Sequence, residues 1–220
     1  LARIRPWGRA LLDLTYPRTC LACDEPLSSE EREGLQAWFC TACEGALPRL
    51  QAPFCQKCGE PYDGAISGEF RCSNCAGRRF SFEFATSAFR ASEGVRALVH
   101  RFKYGRESHL REALASLLKL ALDDPRLAAE PLGEWLLIPV PLHRAKEGDR
   151  GFNQSRELCR ALSRATGIPT ADGLRRVRLT ETQARLSREE RLRNVRGAFL
   201  PREAAALKGR PALLAHAVLT

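Results

Sequence analysis

The chain has 220 residues, with 35 Lys and Arg against 26 Asp and Glu (formal net charge +9), 44% hydrophobic and 28% charged residues. That supplies enough apolar sequence for one large or two small domains, and it excludes a disordered, collagenous or low-complexity chain. No run approaches the ~18 to 20 consecutive apolar residues of a membrane helix, so no span is predicted.

The chain contains no Met and begins at Leu1, which points to a non-ATG start or a fragment. Leu1, Ile4, Trp7, Leu11 and Leu14 recur at helical spacing. They predict a short amphipathic helix over 1–16 that docks on the protein body; a membrane-surface helix is the weaker reading, because the polar face is not strongly charged. Leu11-Leu12 is too short for a signal-peptide core, so a cytoplasmic protein is expected.

Eight of the nine cysteines form four C-x-x-C pairs, Cys20/Cys23, Cys40/Cys43, Cys55/Cys58 and Cys72/Cys75. Two residues between thiolates let both sulfurs face one ion, and two such pairs make a tetrahedral sulfur site. The gaps of 16 residues (Cys23 to Cys40) and 13 residues (Cys58 to Cys72) lie near the zinc-ribbon spacing. Gly59 suits a tight turn after Cys58. Zinc is favoured over iron–sulfur clusters, which the same ligands also hold, and over disulfides, which want a secreted context. Sequential pairing gives one ion Cys20, Cys23, Cys40 and Cys43 and the other Cys55, Cys58, Cys72 and Cys75; a cross-braced pairing is also open to spacing alone. Neither site leaves a position for water, so both read as structural, stabilising a double zinc-ribbon region over 17–76. Cys159 sits alone in a helical pattern and reads as a small core residue.

Beyond residue 76 the pattern alternates. Phe82–Arg90 reads as a strand, Ser92–Tyr104 and Ser108–Leu122 as helices, and Trp135–Val140 as a buried strand. Phe152–Thr166 reads as a helix stopped by Gly167, Leu174–Leu179 as a weak strand, Ser187–Asn194 as a helix, Ala198–Leu200 as a short strand and Ala212–Leu219 as a buried strand. Strands alternating with helices predict an α/β domain over 77–220 with a mainly parallel sheet, whose ligands sit at the carboxyl ends of the strands. A domain seldom stops on a buried strand, so a missing C-terminal tail is expected. Charge is uneven: residues 144–196 hold 14 basic against 7 acidic groups, net +7. Such a segment attracts phosphorylated small molecules or nucleic acid. For any single Arg, a solvated helix face is the more ordinary role.

Specific strings fall in the loops of this second region. Pro139-Val140-Pro141-Leu142-His143 is followed by Arg150-Gly151-Phe152-Asn153-Gln154, then Thr182-Gln183, Leu186-Ser187 and Glu190-Arg191-Leu192-Arg193-Asn194-Val195-Arg196-Gly197-Ala198-Phe199. With Phe102-Lys103-Tyr104 and the cysteine ribbons, the chain from about Leu11 to Thr220 resembles the ComF family (competence protein F), which joins a double zinc ribbon to a type I phosphoribosyltransferase domain. The resemblance implies a bacterial role in DNA uptake and natural transformation, with phosphoribosyl pyrophosphate as donor, Mg²⁺ as its cofactor, and single-stranded DNA or competence proteins as partners. It also implies a donor site built from His143, Arg150, Gly151, Asn153, Gln154, Gln183, Arg191 and Asn194. In it Pro141–His143 form the pyrophosphate loop, Arg150, Asn153 and Gln154 start the following helix, and residues 180–194 form a mobile flap. Helix capping and solvation are the ordinary alternative for Arg150 and Asn153, and a bland loop histidine for His143.

The pattern breaks at the end of the chain. The family's last strand runs into an acidic pair and a Thr-Thr-Gly-Ala-Thr loop that hold the ribose and its 5-phosphate. Here His216 and Ala217 stand at the acidic positions, and Thr220 is the last residue. Neither an imidazole nor a methyl group accepts hydrogen bonds from a diol as paired carboxylates do. The expectation is a degenerate donor motif (His216, Ala217, Thr220) with impaired phosphoribosyl transfer, as in a pseudoenzyme, a frameshifted product or a truncated chain. The rival from another class is a non-enzymatic zinc-ribbon module that binds nucleic acid or protein.

Overall fold

Two tight knuckles repeat in the first half of the chain. In one, Cys20 N–H donates to Glu25 O (2.8 Å), Asp24 N–H donates to Cys20 O (2.9 Å), and Thr19 bridges Pro26. In the other, Cys55 N–H donates to Glu60 O (2.8 Å), Gly59 N–H donates to Cys55 O (2.8 Å), and Phe54 bridges Pro61. Each knuckle needs a left-handed residue after its second cysteine: Asp24 takes φ 60° and Gly59 takes φ 73°. Gly and Asp are among the residues that bear this conformation at least cost. The repeat Cys-x-x-Cys-(Asp/Gly)-Glu-Pro thus encodes one turn twice.

This computed structural model describes residues 17–27, 33–183, 186–202, 207 and 209–216. The helix predicted over 1–16 and positions 217–220 lie outside the described residues. The chain divides into two compact units, Leu1–Leu98 and Val99–Thr220.

In the first unit a single 3-10 turn (Gly34–Ala37) precedes helix α1 (Thr41–Gly45). Leu35 and Phe39 are buried, and Phe39 N–H donates to Leu35 O (2.9 Å). The strand expected over Phe82–Arg90 is absent; only Phe89 makes a bridge, to Arg49. Its backbone is taken up elsewhere. Ala85 N–H donates to Lys57 O (2.9 Å), Lys57 Nζ donates to the carbonyls of Phe82 and Glu83, and Arg90 N–H donates to Pro48 O (2.8 Å). Alternating hydropathy cannot distinguish a ladder from a strap that follows a knuckle.

Helix α2 (Glu93–Tyr104) contains the unit boundary. In the second unit, helix α3 (Arg111–Lys119) is flanked by 3-10 turns at Ser108–Leu110 and Leu120–Asp123, so the single helix expected over 108–122 tightens at both ends. Strand β1 (Leu136–Pro139) is fully buried. Helix α4 (Arg144–Arg150) was not predicted, because a polar sequence with no apolar stripe carries no periodic signal. Helix α5 (Gln154–Thr166) starts at the Asn153 cap and ends where Gly167 turns left-handed (φ 78°). Strand β2 (Leu174–Arg176), helix α6 (Arg188–Val195), strand β3 (Phe199–Pro201) and strand β4 (Ala212–Ala215) follow.

The architecture is α/β, with a parallel β1–β4 pair in register Leu136↔Ala212 to Pro139↔Ala215, and an antiparallel β2–β3 pair. On the other edge of β1, Leu137 N–H donates to Pro169 O (2.8 Å) and Ala171 N–H donates to Leu137 O (3.0 Å). One core cluster forms from Ala115, Leu137, Cys159, Ala161, Leu162 and Ile168, with Leu213 and Ala215 packed against it. Burying each large aliphatic side chain there contributes roughly 1.5–3 kcal/mol. Cys159 is a core residue as expected, and burial, then Asp172, pushes its thiol up to about 12. Strand β4 is not the buried strand expected: Ala212 and Leu214 face outward, Leu214 at 59% exposure. The reason is its position: among the described residues it is hydrogen-bonded to β1 on one edge, and every second residue packs on the core.

Candidate functional site

Two kinds of site appear, one in each unit. The first is the pair of cysteine clusters. The ligand sulfurs of Cys20, Cys23, Cys40 and Cys43 lie within 4.8 Å of one another, as do those of Cys55, Cys58, Cys72 and Cys75. The grouping is the sequential one. Cys23 and Cys40 Sγ are 3.8 Å apart, Cys58 and Cys72 Sγ 3.6 Å. A tetrahedron with Zn–S bonds of ~2.3 Å has S–S edges of about 3.8 Å, whereas a disulfide closes to ~2.05 Å. Four soft sulfurs at tetrahedral spacing fit zinc.

Backbone amides prepare one thiolate in each cluster. Burial opposes ionisation of Cys20, but N–H groups of Cys40, Ala22 and Cys23 outweigh it and hold the thiol down at about 6. At Cys55, burial is likewise outweighed by the amides of Cys72, Cys58 and Lys57, again to about 6. The remaining sulfurs resist. The Cys23 and Cys40 sulfurs, then burial, push Cys43 up to about 12, and burial above all pushes Cys58 up. A dication is what makes four adjacent thiolates tenable. The clusters differ in setting: Cys23 is exposed in the first, while Cys55, Cys72 and Cys75 are buried in the second with Phe70 and Phe80 packed against them.

The second site is a cavity of about 280 Å³ in the second unit, lined by Lys103, Tyr104, Arg106, Lys146, Asp149, Arg150 and Thr182. Local structure builds it. The Arg101 guanidinium grips the Glu107 carboxylate (Nε–Oε1 3.0 Å, Nη2–Oε2 2.8 Å), closing a turn at the end of α2. Gly105 is required there, since a Cβ would meet Arg101 O at 2.7 Å, and Arg106 follows at φ 57°. On α4, Lys146 and Arg150 are one turn apart. Lys146 Nζ donates to Thr180 O (2.7 Å). Arg150 lies over the Tyr104 ring (4.9 Å) and donates to Tyr104 OH (3.3 Å) and Gln154 Oε1 (3.0 Å). Arg176 stands close by, donating to Thr180 Oγ1 and covering the Phe199 ring (5.2 Å).

The electrostatics are one-sided. Among the described residues, Lys103, Arg106, Lys146, Arg150 and Arg176 form no ion pair. Burial, then the charge of Arg150, pulls Lys103 below the ordinary lysine value. Burial, then Arg176 and Arg150, does the same to Lys146. His216, although part of its surface reaches solvent, is held down to about 4 by desolvation, then by Lys103, Arg176 and Arg150.

The residues expected in the donor site divide. Arg150 ends α4 rather than starting the next helix, and Gln154 accepts its hydrogen bond. Gly151 (φ 82°) terminates α4, and His143 caps its start, its Nδ1 accepting from Ala145 N–H (3.3 Å). Asn153 is buried and caps α5: Oδ1 accepts from Ser155 and Arg156 N–H (3.0 and 3.3 Å), and Nδ2 donates to Val140 O (3.4 Å). Arg191 Nε donates to Gln183 O (2.9 Å) and Leu186 O (3.0 Å), and Asn194 pairs both ways with the Glu181 backbone (3.2 and 3.1 Å). These two side chains tie Glu181, Gln183 and Leu186 to α6. Ala217 and Thr220 lie outside the described residues. Sequence reasoning did not assign Lys103, Lys146 or Arg176 to the site. The Lys146–Arg150 spacing of four on a helix was the available signal for one of them.

Comparisons with known proteins follow this division. Residues 11–76 match the double zinc ribbon domain family. The chain is 32% identical over 191 residues to the DNA utilization protein YhgH of Salmonella typhimurium, across 84% of this chain and 78% of that protein. It is 30% identical over 171 residues to competence protein F of Haemophilus influenzae (73% and 75%), and 24% identical over 188 residues to competence protein ComFC of Bacillus subtilis (79% and 72%). No solved structure matches. Among the described residues no helix is long and apolar enough to cross a membrane. With a double zinc ribbon in front and this likeness running through most of both units, the chain belongs to the ComF family.

Proposed function

We propose that this chain serves DNA utilization in the cytoplasm, with zinc ribbons holding the first unit together and the cavity of the second taking a phosphorylated anion. Phosphoribosyl pyrophosphate is the ligand that the family resemblance implies, and the chain holds it weakly and transfers phosphoribose poorly. One observation carries the reading: Lys103, Lys146 and Arg150 line one cavity with Arg176 near Arg150, and among the described residues none of the four forms an ion pair, so a bound anion would offset their mutual repulsion. The weakness follows from His216, an uncharged imidazole where a diol-binding carboxylate is expected.

Calorimetry with phosphoribosyl pyrophosphate tests this. Binding should be weak, and Lys146→Ala and Arg150→Ala should each reduce it about tenfold or more, as charge-assisted contacts of ~1.5–3 kcal/mol require. Binding that ignores both substitutions would remove the cavity from the function. A second reading rests on the exposed Arg191, Arg193 and Arg196 of the +7 segment, which suit the phosphates of single-stranded DNA. Its mark is oligonucleotide binding that falls steeply with salt and survives Lys146→Ala; binding indifferent to salt would exclude it.

A further inference from the structure

The resemblance brings Mg²⁺ with the donor, and the described residues of the cavity do not suit it. Mg²⁺ asks for an octahedron of hard oxygens, typically one or two carboxylates joined by phosphate oxygens and water. The charged groups lining the cavity are Lys103, Arg106, Lys146 and Arg150 against one carboxylate, the exposed Asp149. Arg176 and the imidazole of His216 stand near Arg150.

The hydrogen-bond inventory has the same sign. Gln154 is buried, and while its Oε1 accepts from Arg150, its Nε2 has no acceptor. Arg176 Nε is likewise buried without one, as is Nε2 of Gln183, next to Thr182 in the lining. Every unmatched buried side-chain polar atom among the described residues is a donor. Around the cavity cations and unmatched donors outnumber acceptors and negative charge; a dication supplies neither acceptor nor negative charge.

Resting on the anion-binding reading above, we propose that the cavity binds condensed phosphate as the free, metal-free anion, and that Mg²⁺ competes with this binding instead of supporting it. Free pyrophosphate presents its full charge and all its acceptor oxygens to Lys103, Lys146, Arg150 and the Gln154 amide. Chelation by Mg²⁺ removes two units of that charge and occupies oxygens the orphaned donors would take. It also brings a dication among cations that already depress one another.

The test is calorimetry of the zinc-loaded full chain with inorganic pyrophosphate, in buffer freed of divalent ions beforehand so that no chelator strips the ribbons. The unmodified chain should bind in the metal-free buffer, and excess Mg²⁺ should weaken binding about tenfold or more. Lys146→Ala should weaken metal-free binding by a similar factor, while Lys119→Ala, a charge change on α3, should not. His216→Asp should lower metal-free affinity and make Mg²⁺ favourable. Binding that appears or tightens with Mg²⁺ in the unmodified chain overturns the inference and leaves the anion site standing. No binding under either condition overturns both.

Discussion

His216 reports the field of its surroundings. Its ordinary value is 6.5, and in the folded chain desolvation, then Lys103, Arg176 and Arg150, hold it down to about 4. Between these pH values the unfolded chain carries more protons than the folded one. Stability contributed by the neutral imidazole is therefore complete above about 6.5, falls as pH drops through this window, and falls no further below about 4. A urea midpoint that declines across the window in the unmodified chain but less in His216→Asn is the expected outcome; identical declines would assign the effect to other titrating groups. Proton NMR should show His216 titrating near 4 and moving upward when pyrophosphate is added, since an anion offsets the cations. No movement would separate His216 from the cavity. Asn153 carries a different load, because its carboxamide caps α5 and also holds Val140 O. Asn153→Ala should cost roughly 1–3 kcal/mol in urea unfolding, and Asn153→Asp, which keeps the cap, less. Equal losses would place the effect on the Val140 bond.

The two knuckles are one element built twice with different residues at the left-handed position. At Gly59 a side chain is strained by φ 73° and its Cβ would stand 3.1 Å from Ala85 O. Asp24 already bears φ 60° at the matching place. Gly59→Ala should therefore destabilise the second ribbon by ~1–2 kcal/mol, whereas Asp24→Gly should be nearly neutral. Thermal melts that rank the two variants the other way would refute the equivalence. Elemental analysis of protein purified without added metal should give two zinc ions per chain. Cys55→Ser should lose one of them together with the circular-dichroism signature of the second ribbon, because metal binding there is folding free energy. An unchanged melting transition with both ions retained would contradict a structural role. A parallel element-scale lesson concerns the strands. Leu136–Pro139 was legible as an apolar run, but Phe82–Arg90 was not legible as a strap, since its partners are the Lys57 amine and the carbonyls of Lys57 and Pro48, far away in sequence.

At the scale of the molecule, what could be read from sequence was what chemistry fixes locally. The four C-x-x-C pairs marked the metal ligands, though not their grouping, and Gly167 marked the end of α5; the Asn153 cap of α5 and the Ser187–Glu190 capping box of α6 are seen in the structure. The cavity was harder to see, because its cations come from the end of α2, the turn after it and α4, with Arg176 of β2 near Arg150, and only the fold brings them together. Several of the residues expected at the donor site also serve helix ends and loop bracing, which local hydrogen bonding decides and composition does not.

The central claim is that these dispersed cations form one anion site. Lysine acetylation read by mass spectrometry tests it most directly, with and without phosphoribosyl pyrophosphate. Lys103 and Lys146 should be protected by the ligand, while Lys119, exposed on α3, should react equally in both samples. Protection of Lys119 to the same degree, or none at Lys103 and Lys146, would contradict the account.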